Sequence, residues 1–257
     1  MSATFDSLNE VAVADFKDQG GQMTAKNVLG VGYKLTDTKS LKIRQPFIVF
    51  YGWPKAVART ESRDLNIQYS DSKLLTYNAN TSTALITRIG LPTGQNSRFN
   101  TLQRGYLMVR LSTTNTVNGR LSLTHLAEGA YYNNSVNWYG PTPVMKDGEE
   151  VGTKWKVNLS HYVLQSIGAD ISLSDTFTFS PSVGYTRNFY LSNGLELVGK
   201  NDQFTGDLAA AVSYTGVPGA TFEVGIENNA DIIAADRPVE FGRDDEMTYH
   251  LLLSVAI

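Results

Sequence analysis

The segment Met247-Thr-Tyr-His-Leu-Leu-Leu-Ser-Val-Ala-Ile257 carries an apolar or aromatic residue at every second position. The members of this stripe are Met247, Tyr249, Leu251, Leu253, Val255 and Ile257. A period of two places alternate side chains on opposite faces of a β-strand, so the pattern predicts a strand with one apolar face. The end of a soluble domain is ordinarily polar, because a frayed terminus is exposed to water. The stripe therefore indicates a strand whose apolar face contacts something other than water.

The composition excludes several classes of protein. Of the 257 residues, 42% are hydrophobic and 18% are charged, and the mean hydropathy is −0.20. No run approaches the roughly 18 consecutive apolar residues that indicate a membrane-spanning helix. The absence of cysteine excludes disulfides, thiolate catalysis and Cys-ligated metals. A net charge of −3 gives no reason to expect a nucleic-acid partner, and no motif indicates a cofactor.

Alternating segments recur along the chain, and the connections between them alternate between short and long. Twelve strands, joined by short turns at one end and long loops at the other, are typical of bacterial outer-membrane barrels. The sequence therefore predicts an all-β chain with one domain over residues 1–257, folded as a single antiparallel up-and-down transmembrane β-barrel with short periplasmic turns and long extracellular loops. The predicted strands are Leu8–Phe16, whose alternation is weak, Asn27–Thr36, Leu41–Tyr51, Asp64–Tyr77, Ser82–Leu91, Arg104–Ser112, Arg120–Tyr131, Thr153–Ser174, Thr176–Tyr190, Phe204–Tyr214, Ala220–Asn228 and Met247–Ile257.

Two prolines weigh against a closed barrel. Pro46 and Pro181 fall inside predicted strands, and a barrel has no edge at which a missing N–H is free. We expect them to mark β-bulges. The alternative is a soluble β-sandwich or two small barrels. Two bands of aromatic residues favour the membrane barrel, because such bands form at membrane interfaces. They are Tyr51, Trp53, Tyr131, Trp155, Phe189 and Tyr190 near the loops, and Tyr77, Phe177 and Tyr214 near the turns.

Charged residues occupy the face opposite the apolar one, which faces the lumen if the apolar face contacts lipid. Opposed charges across a water-filled bore favour polar solutes, and the nine-to-five excess of basic residues predicts a mild preference for anions. The alternative is that these charges pair with one another and plug the bore. The basic residues are Lys34, Lys42, Arg44, Arg88, Arg104, Arg110, Arg120, Lys154 and Lys156, and the acidic residues are Glu128, Asp170, Asp207, Glu223 and Glu227.

A search for catalytic groups identifies no candidate. The histidines are His125, His161 and His250, and none has a serine two positions away, an arrangement that would place both groups on one strand face. Two enzymatic alternatives stay open. In the first, a serine on a neighbouring strand acts with one of these histidines. In the second, the acidic segments 147–150 and 243–246 supply carboxylates for a protease-like site at the loop end of the barrel. A further alternative is a non-conducting adhesion or structural protein that acts through loop residues 132–138 and 141–143.

At the level of architecture, the chain resembles the small twelve-stranded outer-membrane channels, such as the acidic-oligosaccharide and nucleoside porins. The resemblance rests on the alternation, the loop asymmetry and the terminal strand, although the chain ends in Ile257 rather than Phe or Trp. It implies a monomeric diffusion channel for small polar solutes, in contact with outer-membrane lipids and lipopolysaccharide. Residues 1–4 have neither a basic nor an apolar signal region. We therefore expect that an export signal was replaced by Met1.

Overall fold

The computed structural model describes residues 2–12, 22–52, 59–94, 97–98, 101–136, 138–146, 149–191, 202–231 and 247–256. The described chain is almost entirely β-strand. The strands are β1 (Ser2–Ala12), β2 (Gln22–Lys34), β3 (Lys39–Gly52), β4 (Arg59–Ser62), β5 (Asn66–Asn78), β6 (Thr81–Gly90), β7 (Gln103–Asn118), β8 (Leu121–Asn134), β9 (Trp138–Lys146), β10 (Glu149–Val157), β11 (Leu159–Ser172), β12 (Phe177–Tyr190), β13 (Asp202–Val217), β14 (Ala220–Asp231) and β15 (Met247–Ala256).

The main sheet closes on itself. It contains thirteen of the described strands, and every pairing between them is antiparallel. The ring closes because β1 pairs with both β2 and β15, while β2 also pairs with β3. The short strand β4 pairs only with β3, beside the end of β5. Without β4, the ring is a twelve-stranded barrel, as the sequence predicted.

Short turns and long connections lie at opposite ends of the barrel. The turn end carries the links 35–38, 79–80, 119–120, 173–176 and 218–219. The link at 119–120 confirms the hairpin predicted from Asn118-Gly119, and the Asn118 side chain accepts a hydrogen bond from the Arg120 N–H (2.8 Å). Ser2 and Ala256 also lie at this end, through pairing with Gly32 and Thr4. The asymmetry is the outer-membrane pattern predicted from the sequence.

The outer wall is apolar and exposed. Val224 is 62% exposed, Ile167 60% and Leu251 48%, whereas a soluble domain of this size would bury such residues. Among the described residues, the buried hydrophobic side chains are only Ala25, Met108, Ala130 and Ala230. No helix in the described ranges is long and apolar enough to span a membrane. The apolar wall is a lipid-facing belt, which overturns the alternative of a soluble sandwich.

Aromatic side chains form contacts at both ends of this belt. Near the turns, the ring of Tyr214 lies 5.0 Å from Phe177 and 6.5 Å from Phe222. Near the loops, His161 stacks on Phe189 with ring centroids 4.2 Å apart. Amphipathic rings at these two levels are the arrangement expected at the two membrane interfaces.

The region between β8 and β11 differs from the prediction. The connection between the predicted strands Arg120–Tyr131 and Thr153–Ser174 contributes to a hairpin of β9 and β10 that belongs to a separate two-stranded sheet. The predicted single strand Thr153–Ser174 is therefore two strands that are separated at Asn158. Tyr132, predicted to start the loop, lies inside β8. Alternation of side chains continues through both segments, so periodicity alone could not locate the break.

The two strand prolines have different surroundings. Pro46 lies in β3 between the residues paired with β5 and those paired with β4, and its carbonyl accepts a hydrogen bond from the Arg63 N–H (2.9 Å). Pro46 also pairs with Val28 on β2 without a register shift, so the expectation of a bulge at Pro46 is wrong. Pro181 pairs with Ala210 on β13 without a register shift. The expectation of a bulge at Pro181 is therefore wrong.

Candidate functional site in the barrel lumen

The strand register assigns each side chain to one face of the wall. On β7, Leu107, Val109 and Leu111 are 40–46% exposed on the lipid side. The residues between them, Met108 and Arg110, therefore face the lumen. Cross-strand pairing carries this assignment around the ring, because directly paired residues lie on the same face.

Three side chains from three strands form a basic cluster on this inner face. Gln68 on β5 accepts hydrogen bonds at Oε1 from Arg44 Nη1 (3.1 Å) on β3 and from Arg88 Nη2 (2.9 Å) on β6. Because the acceptor is a neutral amide, the two guanidinium charges are held together without being neutralised by it. The carboxylate of Asp6 on β1 lies 3.9 Å from Arg44 Nη2. The cluster is thus only partly compensated.

The third predicted arginine at this level has a carboxylate partner. Arg110 donates to Glu128 on the adjacent strand β8, and Tyr162 on β11 donates to the other oxygen of the same carboxylate. The Glu128 side chain is 7% exposed, whereas that of Arg110 is 37% exposed. Burial of a carboxylate is favourable only when it is paired in this way. Arg110 and Glu128 were predicted as independent lumen charges, and the structure brings them together as a pair.

The other predicted basic residues lie towards the ends. Lys34 is at the turn end, where it forms an ion pair with Asp37 (2.9 Å). Lys42 lies further from the turn end than Lys34, beside Gly32. Arg120 is in the 119–120 turn and is exposed. Arg104 is at the loop end, in a register shift between Gln103 and Gly105. Lys154 and Lys156 are on β10, outside the barrel sheet, and their side chains lie outside the described part.

Acidic residues line the opposite side of the ring. Asp207 on β13 accepts a hydrogen bond from Thr186 (3.1 Å), and Asp170 on β11 accepts one from Ser180 (2.7 Å). Glu223 on β14 lies 3.3 Å from Nε2 of His250 on β15. Glu227 is four residues further along the same face of β14. Basic residues on β3 and β6 therefore face a wall, from β11 to β14, that carries carboxylates.

Sequence reasoning missed a row of inward tyrosines near the loop end. The rings of Tyr106 on β7 and Tyr132 on β8 are 5.7 Å apart, and those of Tyr132 and Tyr162 on β11 are 6.3 Å apart. Tyr106 and Tyr132 are directly paired. All three lie at the parity opposite to the lipid-facing residues, which was the signal available in the sequence. We call these three residues the tyrosine row.

Gly90 makes room for one end of the tyrosine row. A Cβ atom built on Gly90 of β6 would lie 1.8 Å from Cε1 of Tyr106, so the ring lies directly on the glycine backbone. We expect Gly90→Ala to displace this ring and to lower the free energy of unfolding by about 1–3 kcal/mol, as overpacking does. Urea unfolding of the barrel in lipid vesicles measures the change. Gly119→Ala is the control, since nothing lies within 4 Å of its added Cβ; equal losses in both variants would contradict the packing argument.

A cavity of about 280 Å³ lies between the tyrosine row and the connections at the loop end. Its walls come from inward strand residues, from the β3–β5 connection and from the connection between β6 and β7. We call residues 91–102 the inward loop; the structure describes 91–94, 97–98 and 101–102 of it. The lining residues are Pro46, Arg63, Asp64, Arg88, Gly94, Ser97, Gln103, Tyr106, Met108, Ala130, Tyr132 and Tyr162.

Asp64 attaches the inward loop to the wall. Its carboxylate accepts hydrogen bonds from the Gly94 N–H (2.9 Å), the Ser97 hydroxyl (2.6 Å) and the Gln103 amide (3.4 Å). Hydrogen bonds to a charged acceptor are stronger than those between neutral groups. The described parts of the inward loop are thus held across the loop-end mouth, beside the tyrosine row.

Asn158, at the break between β10 and β11, attaches the far end of the inward loop. Its side chain is buried and donates to the carbonyls of Thr101 (3.0 Å) and Val136 (2.8 Å). Leu102 beside it has a φ of 49°, a conformation that is uncommon for a residue other than glycine. A buried amide with both donors in use fixes the course of the chain, so this end of the mouth is a defined structure.

The three histidines are far apart in the fold. His125 and His161 are on the lipid face, because they pair with Ile167 and Tyr131 of the outer wall. His161 Nδ1 lies 3.2 Å from Ser160. His250 faces the lumen beside Glu223, and a Cβ on Gly225 would lie 2.3 Å from the His250 ring. The acidic segments 147–148 and 243–246 lie outside the described residues.

No protein-family model and no curated protein matches the sequence. Three solved structures share the fold over nearly the whole chain. An outer membrane channel of the COG4313 group from Pseudomonas putida F1 has a TM-score of 0.61 at 10% identity, over 100% of this chain and 94% of that one. The KdgM porin, in complex with disordered oligogalacturonate, has a TM-score of 0.53 at 11% identity, and the NanC porin 0.53 at 8%, each over 98% of both chains. Similarity at this identity concerns the fold, and it confirms the predicted twelve-stranded β-barrel fold.

Proposed function

We propose that the protein is a channel of the bacterial outer membrane through which small hydrophilic solutes diffuse, with a preference for anions. The support is the inversion of polarity between the walls, with an apolar exterior and an inner face of charged and hydroxyl side chains. Twelve strands lie between the filled eight-stranded barrels and the open sixteen-stranded porins. A narrow bore is the expected geometry, and the proposal includes no chemical step.

The observation that carries the anion preference is the sharing of one Gln68 oxygen by Arg44 and Arg88. Arg110 has its own carboxylate partner, so its charge contributes less to the field in the bore. Asp207, Glu223 and Glu227 on the opposite side of the ring give the field a direction across the lumen. An anion would follow the arginine side, and a cation the acidic side. The arginine pair faces the lumen from β3 and β6, so it acts on a solute while that solute passes through the bore.

The proposal is tested by single-channel recording in a planar bilayer under a salt gradient. We expect discrete open steps and a reversal potential of the sign given by an anion-preferring pore. Cation preference would overturn the assignment of the selective site to Arg44 and Arg88. A silent membrane with verified insertion of the folded barrel would overturn the channel proposal and favour the non-conducting alternative.

We propose that membrane lipids are the partners of the outer wall. Its apolar belt and aromatic bands would contact outer-membrane lipids, and lipopolysaccharide on the loop side. We also propose that the barrel acts as a monomer, because a continuous lipid-facing belt needs no second subunit for the lumen to be complete. Chemical cross-linking in native membranes tests this: a specific cross-linked dimer would contradict it.

A further inference from the structure

We propose that the cavity beside the tyrosine row binds a monocyclic aromatic carboxylate, with the ring against the tyrosines and the carboxylate on Arg88. This inference rests on the proposed function, since the cavity lies at the loop-end mouth of the proposed channel. It names the class of solute that the channel would select. The cavity volume of about 280 Å³ is slightly below the range of roughly 300–1,000 Å³ found for drug-sized ligands. A single substituted ring is the size of solute that it suits.

The apolar part of the site has two components. Tyr106 and Tyr132 present tilted rings (42° between planes), and aromatic pairs prefer such tilted or offset arrangements over face-to-face stacking. Met108 and Ala130, which are 2% and 6% exposed, line the same cavity between the strands. A thioether also makes favourable contacts with the edge of an aromatic ring. A planar ring would thus find aromatic and sulfur partners on one side of the cavity.

The polar part of the site is basic. Arg88 lines the cavity while Nε and Nη2 contact the same Gln68 oxygen. A guanidinium carries five N–H donors in a fork, so this arrangement leaves further donors for a carboxylate. Arg63 also lines the cavity, and it forms an ion pair with Glu61 (3.7 Å). The acidic lining residue, Asp64, keeps its charge, but its carboxylate already accepts three hydrogen bonds from Gly94, Ser97 and Gln103. The lining thus carries two arginines and one carboxylate, and Arg88 is the lining cation that has no carboxylate ion-pair partner within the described part of the chain.

The same geometry disfavours an acidic sugar. A sugar ring carries hydroxyl groups around its edge, and each would need a hydrogen-bond partner when buried. The side of the cavity formed by Met108 and Ala130 offers none from its side chains. The edge of an unsubstituted aromatic ring carries no hydrogen-bonding group, so the ring loses no hydrogen bonds with water when it lies on that surface. An apolar side at Met108 and Ala130, together with a polar side that contains Arg88, favours a ring with a single charged group.

The test is ligand-observed NMR with the refolded protein in detergent micelles, with benzoate as the probe. We expect cyclohexanecarboxylate, which has the same charge and a similar size, to bind about two- to tenfold more weakly, the contribution of an aromatic pair. Glucuronate should bind more weakly still. Arg88→Gln should weaken the binding of all three acids. Tyr132→Leu should remove the preference for benzoate over cyclohexanecarboxylate.

Tyr131→Leu is the matched control. Tyr131 is the neighbour of Tyr132 on the same strand but lies on the lipid face, where it is 59% exposed. This variant should leave the preference for benzoate over cyclohexanecarboxylate unchanged. It controls for partition of the acids into the micelles. Equal affinities of the three acids for the wild-type protein, or an equal effect of the two leucine variants, would overturn the inference. Anion-selective conduction without a benzoate preference would overturn it while the proposed function stands. If benzoate binds but the barrel conducts no ions, the channel proposal is overturned while the proposed binding site stands.

Discussion

Replacing Arg44 and Arg88 together by glutamate is expected to reverse the ion preference of the pore from anions to cations. Each guanidinium about 4 Å from a passing monovalent ion contributes roughly 1 kcal/mol even in a medium as polar as water. The pair thus contributes about 2 kcal/mol, which corresponds to a roughly 30-fold effect on the occupancy of the site by an anion. Glutamate changes the sign of both charges, so both sides of the lumen then contribute a negative potential that favours cations.

The measurement is the reversal potential of single channels under a salt gradient, with the double glutamine variant as an intermediate step. Arg104→Glu with Arg120→Glu is the matched control, because it changes the same number of charges at a bulge and at a turn. We expect this control to shift the reversal potential far less, since both side chains are exposed at the ends of the barrel. If it shifts the potential as much as the Arg44–Arg88 change does, selectivity is set at the bulge and the turn, and the arginine pair is not the filter.

Replacing Asp64 by alanine is expected to open the loop-end mouth. The variant removes three hydrogen bonds to a carboxylate, each of which contributes about 1.5–3 kcal/mol when one partner is charged. The loss of even one such bond lowers the equilibrium constant for attachment of the inward loop to the wall by roughly tenfold. Single-channel records should therefore show a larger conductance level, occupied for a greater fraction of the time than in the wild-type protein.

The matched control for this second change is Asp37→Ala. Asp37 is a carboxylate at the turn end, 99% exposed and paired with Lys34, so its removal leaves the loop-end mouth intact. Asn158→Ala provides a second route to the same opening, through the contacts with Thr101 and Val136. An unchanged conductance in both the Asp64 and Asn158 variants, with the barrel verified as folded, would show that the inward loop does not restrict the current.

The period-two pattern was enough to predict the barrel, its number of strands and its lipid face. It did not fix every strand, because the first was predicted at Leu8–Phe16 and is Ser2–Ala12 in the structure, and β10 and β11 were predicted as one strand. Leu251 in β15 and Val109 in β7 are exposed on the outer wall, as alternation required. The same pattern predicted the inner face, and this prediction failed where the alternation is interrupted. At Arg104 a register shift places Gln103 on the inner face beside the cavity. Such a bulge adds one residue to a strand and reverses the faces beyond it, and no feature of the local sequence marks it.

The alternation along each strand determined which residues meet lipid and which meet the lumen, because the direction of a side chain is a local property of an extended chain. The combination of inward residues into a site depended on the pairing register between strands. Arg44, Gln68 and Arg88 are 24 and 20 positions apart along the chain, and only the pairing of β3 and β6 with β5 places both guanidiniums on one amide oxygen. The tyrosine row and the attachment of the inward loop to Asp64 arise in the same way, since each joins segments that the sequence keeps far apart.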